Sequence, residues 1–155
     1  MNMQAAPFSS ERMDWETPPD LFNKLNEEFV FTLDVCAEQH NAKCQCWISP
    51  QRDALKRMWI GTCLMNPPYG RQIGAWIAHA AEQAKYGATV VALLPARTDT
   101  RYWHDYIWDG ERHRPRPGVE VRFLRGRLRF VGAPAPAPFP SVIVVFRKPI
   151  AQAAG

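Results

Sequence analysis

The residues best placed to do chemistry are Asn66-Pro67-Pro68-Tyr69, which follow the short apolar run Thr62-Cys63-Leu64-Met65. Two successive prolines donate nothing to a sheet ladder, so a strand over 62–65 must end at them. They also stiffen the backbone and so fix the Pro67 carbonyl relative to the Asn66 side chain. Two fixed acceptors suit one chemical problem, which is making an aromatic amine nucleophilic. The lone pair of such a nitrogen is delocalised into its ring. Acceptors aimed at its two hydrogens favour a tetrahedral nitrogen with that lone pair released, a form of electrostatic preorganisation. Tyr69 offers a ring face on which a planar base can stack. The tetrapeptide specifies an amine or amide acceptor. It does not by itself choose among DNA bases, RNA bases and protein glutamine amides.

Such a corner works only if longer elements hold it. Thr17 is placed to cap a helix entering at Pro18-Pro19, with Leu21, Phe22, Leu25 and Phe29 on one face. Residues 31–36 read as a short buried strand, 37–43 as a turn or brief helix, and 44–48 as a second strand. Ile73, Trp76, Ile77, Ala80 and Ala84 recur at helical spacing, and Gly87 stops that helix. Residues 88–94 (ATVVALL) form the continuous apolar run of a strand buried on both faces. Thr98 or Asp99 can cap a short aromatic helix through Trp108. Residues 109–118 read as a loop, 119–124 and 127–131 as strands, 132–140 as an extended Ala/Pro connector, and 141–146 as a final buried strand. The alternation of strands and helices over 30–108 predicts an α/β fold, with a mostly parallel sheet ending in an antiparallel C-terminal hairpin. Ligands in open sheets of this kind sit beyond the carboxyl ends of strands. That rule singles out Asp34, residues 66–69 and residues 95–97.

The 155 residues are 46% hydrophobic, which fits one globular domain, expected over 13–148, and argues against global disorder. Residues 1–12 and 149–155 read as loose termini. No apolar run reaches the ~20 residues that cross a bilayer, and the start lacks the pattern of a secretory signal, so a cytoplasmic protein is expected. Cys36, Cys44, Cys46 and Cys63, with His40 among them, match no standard zinc spacing and read as small buried thiols, with no metal. Charge is unevenly spread. Residues 1–60 carry six Lys/Arg against nine Asp/Glu, and residues 61–155 carry thirteen against six. Arg125, Arg127 and Arg129 belong to an arginine-rich stretch suited to the phosphate oxygens of nucleic acid, with a solvated face as the alternative. Arg97 and Arg101 follow the central strand and can meet phosphates or make surface ion pairs. His104 reads as structural.

Several ordered motifs together resemble the compact phage-type DNA N-6-adenine methyltransferases, the Dam-like family. The resemblance spans roughly residues 13–147. It rests on Trp15-Glu16-Thr17-Pro18 with Leu21-Phe22, on residues 31–37 with Asn41-Ala42, and on Asp53-Ala54-Leu55 with Trp59. It continues through residues 66–70, residues 93–99 with Trp103-His104, Phe123 with residues 126–130, and Pro138-Phe139-Pro140-Ser141. The resemblance implies a Rossmann-like class I fold that uses S-adenosylmethionine. It implies double-stranded DNA with a flipped adenine as the partner, and a phage- or prophage-encoded enzyme working in a bacterial cell. Asn66, Pro67, Pro68 and Tyr69 would then be catalytic. Trp15, Thr17 and Pro18 would close over the methionine end of the cofactor. Asp34, with Ala37 after it, would meet the cofactor's ammonium or ribose, Asp53 its adenine, and Asn66 would also border it. No glycine-rich turn follows the first strand, where Asp34-Val35-Cys36-Ala37 stands instead. Transfer to RNA or protein glutamine, or a silent DNA-binding protein on the same fold, remain the alternatives.

Overall fold

The computed structural model describes residues 14–150, so the expectations for residues 1–12 and for the end of the tail lie outside the described residues. The fold is built outward from one strand. β4 (Thr89–Pro95) carries the apolar run, and Val90 to Leu94 are essentially sealed from water. A strand with no polar face needs cover on both sides and neighbours at both edges. β3 (Thr62–Met65) pairs parallel to it on one edge, and β8 (Ser141–Phe146) pairs antiparallel on the other. Beyond β3 lie β1 (Leu33–Asp34) and β2 (Cys46–Trp47), both parallel, and beyond β8 lies β7 (Val119–Phe123). The six-stranded order is β2-β1-β3-β4-β8-β7. Only β8 runs against the rest, so β1, β3, β4 and β7 all release their carboxyl ends at the same side of the sheet.

α2 (Ile73–Lys85) links β3 to β4 and lays Ile73, Trp76, Ile77, Ala80 and Ala84 into the core. Gly87, at φ +111°, supplies the stop. α1 (Pro19–Phe29) starts on a proline and ends where Val30 turns left-handed at φ 54°. Asn26 secures that end, its backbone oxygen accepting from Val30 N at 2.9 Å and its Oδ1 from Phe31 N at 2.8 Å.

Five sequence expectations are corrected. Residue 18, not Thr17, precedes α1 as its cap, and no side chain caps that end, because the Thr17 hydroxyl is engaged elsewhere. The first two strands shrink to two residues each, although single backbone bonds continue beside them, from Val35 N to the Leu64 carbonyl and from Ala37 N to the Ile48 carbonyl. β1, β2 and β3 are joined by turns and two 3-10 turns (Pro50–Arg52 and Ala54–Lys56), so α2 is the one α-helical crossover among the described residues. Residues 109–118 contain a small hairpin, β5 (Trp108–Asp109) with β6 (Arg114–Pro115), entered through a π-helical turn at Trp103–Ile107. Residues 127–131 are not a strand: Arg127 and Arg129 bend back onto carbonyls of the Ala/Pro connector.

Candidate active site

β1 and β3 lie side by side, and the chain runs from β1 outward to β2 but from β3 the other way to β4, so the strand order reverses between them. Such a switch point opens a crevice past the carboxyl ends of the two strands. A cavity of about 430 Å³ lies there, walled by Asp34, Ala37, Leu64, Asn66, Pro67 and Pro68. Asp34 ends β1, and Asn66 directly follows β3.

Residues 14–17 form a strap along this cavity. The Trp15 ring sits edge-on to Phe130 and Phe139, each with centroids 5.2 Å away. The Glu16 carbonyl accepts from Val131 N at 3.1 Å, and its carboxylate pairs with Lys43 Nζ at 2.9 Å. The strap's inner bonds run to the catalytic candidate. Asn66 Nδ2 donates to the Trp15 carbonyl and, at 3.0 Å, to Thr17 Oγ1. Asn66 Oδ1 is buried and has no hydrogen-bond partner among the described residues. A buried acceptor left unmatched costs free energy, and such groups mark places where a ligand donor would be welcome.

Asp34 is 4% exposed. Its Oδ1 accepts from Cys36 N at 3.2 Å and its Oδ2 from Lys43 N at 3.1 Å, which shapes the loop after β1 without any glycine. Burial pushes its pKa up to about 6, against the lowering effect of those two bonds and of the Lys43 charge. The neighbouring Cys36 and Cys44 thiols are pushed up to about 12 and about 11, first by burial and then by the Asp34 charge. They are protonated thiols at neutral pH, not nucleophiles.

Of the residues singled out from sequence, Trp15, Thr17, Asp34, Ala37, Asn66, Pro67 and Pro68 all meet at this cavity. Tyr69 stands behind it, 3% exposed. Its hydroxyl donates to the Leu93 carbonyl at 2.8 Å, and its ring meets Phe139 and Phe130 edge-on at 5.7 and 6.3 Å. Pro18 caps α1 beside the strap and is not in the wall. Asp53 is not brought to the cavity: it is exposed, left-handed at φ 50°, and 3.7 Å from Lys56 Nζ. Glu16, Lys43 and Val131 line the cavity without having been singled out. Glu16 lies within the Trp15–Pro18 motif, whereas Lys43 and Val131 carry no pattern in sequence that would mark them. Arg97, Arg101 and Arg125 are exposed beyond the carboxyl ends of β4 and β7, the side of the sheet that holds the cavity. Arg127 and Arg129 also lie there, but their guanidinium groups donate to Ala137, Ala133 and Pro134 carbonyls.

The general class is an α/β protein whose switch-point cavity is bordered by an Asn-Pro-Pro-Tyr corner. The match to known proteins is more specific. The model of the DNA N-6-adenine-methyltransferase (Dam) family matches residues 5–152, and the chain belongs to that family. It is 33% identical over 99 residues to a DNA N-6-adenine-methyltransferase of Haemophilus phage HP1, covering 62% of this chain and 57% of that protein. It is 29% identical over 92 residues to a DNA N-6-adenine-methyltransferase of Escherichia phage T1, covering 57% of this chain and 38% of that protein. The chain thus aligns with about half the length of these relatives.

Proposed function

We propose that this chain transfers a methyl group from S-adenosylmethionine to the N-6 amino group of adenine in DNA. The observation that carries the reading is Asn66, a residue of the switch-point cavity's wall whose Oδ1 is buried and has no hydrogen-bond partner among the described residues. The sheet is proposed as a shortened Rossmann-like class I methyltransferase sheet, and a single domain over 13–148 is proposed with it.

The cavity's residues fit the cofactor. Asp34 suits its ammonium or ribose, the Trp15 and Thr17 strap its methionine end, and Ala37 and Pro68 the remaining wall. When bound, the cofactor supplies an electrophilic methyl group on sulfur. The chain's own part is to hold the amine. Asn66 Oδ1 and the Pro67 carbonyl accept the two amino hydrogens, so the nitrogen lone pair is freed along the line of attack. No strong base is required, because the amine becomes acidic as it is methylated. Tyr69 seats the corner through its bond to the Leu93 carbonyl, and its ring, 3% exposed and packed edge-on by Phe139 and Phe130, supports the corner from behind and leaves no free face for a base. Arg97, Arg101 and Arg125 are the proposed phosphate contacts. No described helix is long and apolar enough to cross a membrane.

The test is transfer of labelled methyl groups into DNA, RNA and protein, followed by nucleoside analysis. N-6-methyladenine should appear in DNA, and Asn66→Ala should lower the rate by at least about a hundredfold while the fold survives. Label confined to RNA or protein, or full activity in Asn66→Ala, would overturn the proposal.

A further inference from the structure

A primary amide turned by 180° about its last bond exchanges an acceptor for a donor. Toward an incoming amine, Asn66 is therefore helpful in one setting and repulsive in the other. We propose that Thr17, together with the Trp15 carbonyl, is a positioning residue that fixes which way this amide points. This rests on the methyl-transfer reading above.

Of the two groups on the strap, the Trp15 carbonyl decides the setting, and Thr17 Oγ1, which can donate as well as accept, holds the amide in it. The Trp15 carbonyl can only accept, and it takes one Nδ2 hydrogen. Thr17 Oγ1, at 3.0 Å, takes the other. With both amide hydrogens held, the amide oxygen is left free, and Oδ1 has no partner among the described residues. In the reversed setting Oδ1 would face the Trp15 oxygen, and two acceptors would repel. The strap is itself held on three sides, by the Trp15 ring against Phe130 and Phe139, by Val131 N on the Glu16 carbonyl, and by Lys43 on the Glu16 carboxylate. Thr17 is 3% exposed and its hydroxyl does not cap α1 but accepts from Asn66 Nδ2. The segment that walls the cavity thereby also sets the polarity of the catalytic amide.

The experiment compares Thr17→Val, Thr17→Ser and Asn66→Asp, with thermal melts to establish that each is folded. Thr17→Val should lower kcat about tenfold at saturating cofactor while leaving KM for DNA within about twofold, whatever it does to the calorimetric affinity for S-adenosylhomocysteine, and Thr17→Ser should restore kcat. Asn66→Asp is the sharper variant. A carboxylate is a stronger acceptor than an amide, so the chemistry alone would tolerate it. It has no donor for the Trp15 carbonyl, so positioning predicts a loss of at least about tenfold. A wild-type kcat in Thr17→Val or in Asn66→Asp overturns the inference, as does a loss confined to cofactor affinity. Methyl transfer absent from the wild-type chain would instead sink the functional reading. The inference then stands on the Asn66 amide hydrogens, which should exchange with solvent slowly in the wild type and faster in Thr17→Val. Equal exchange overturns it.

Discussion

At Asp34 two forces oppose each other. Burial favours the neutral acid, while two backbone N–H groups and Lys43 favour the carboxylate, and burial wins, with the pKa raised from 3.8 to about 6. A raised acid pKa makes the native state the better proton binder. The associated stability is therefore complete below the unfolded value near 3.8, and it is lost as pH rises through about 6. The loss is on the order of 3 kcal/mol. A cation placed in the cavity beside Asp34 would reverse the balance by favouring the carboxylate. Binding of S-adenosylhomocysteine, whose ammonium is cationic, should weaken as pH falls below about 6, approaching tenfold per pH unit. Calorimetry at several pH values reads this directly, and in Asp34→Asn the slope should vanish. An affinity flat between pH 5 and 7 would place the ammonium away from this carboxyl.

Among the elements, the β7–β8 pair shows how a turn residue decides an edge. Gly118 opens β7 at φ +79°, and its carbonyl accepts from Arg147 N at 2.8 Å. A Cβ there would stand 2.3 Å from the Arg147 carbonyl oxygen, a backbone atom that cannot step aside alone. Gly126 has nearly the same φ, +74°, with nothing within 4 Å of a would-be Cβ. Gly126→Ala should cost about 1 kcal/mol from conformation alone, and Gly118→Ala about 3 kcal/mol because the clash is added. Chemical denaturation measures both, and equal costs would mean that the β7–β8 register shifts freely. The elements also show what sequence could reveal. The corner at 66–69 and strands β3, β4 and β8 were legible because apolar runs end at residues that forbid continuation. β1 and β2 were only partly legible, since two paired residues in a turning loop leave no periodicity. Arg127 and Arg129 looked like strand residues from their alternation, yet their guanidinium groups bind nearby carbonyls, a tertiary choice with no local signature. Motif order alone assigns Asp53 to the cofactor. Its left-handed turn points it to solvent and Lys56 instead.

Over the whole molecule, the net charge of +4 says less than where the arginines are committed. Arg122 reaches Glu28 on α1 and Glu120 on its own strand, and its guanidinium lies 5.2 Å from the centre of the Phe29 ring. Arg112 is tied to Asp109, and Arg116 donates to the His104 carbonyl. These arginines serve the fold. Arg97, Arg101 and Arg125 are exposed, with no side-chain hydrogen bond or ion pair among the described residues, at the side of the sheet that carries the cavity. On the proposed reading they meet DNA phosphates, and each contact releases counterions. Each replacement by alanine should lower the slope of log affinity against log salt by about 0.9, and the triple replacement by nearly 3. Arg122→Ala provides the contrast: it should lower the melting temperature, because α1 loses its tie to β7, and leave the salt slope unchanged. Fluorescence anisotropy on a labelled duplex between 50 and 200 mM salt, roughly the range over which such contacts lose most of their strength, separates the two groups. A triple variant with the wild-type slope would move the DNA to another face, and the adenine would then have no short path to Asn66.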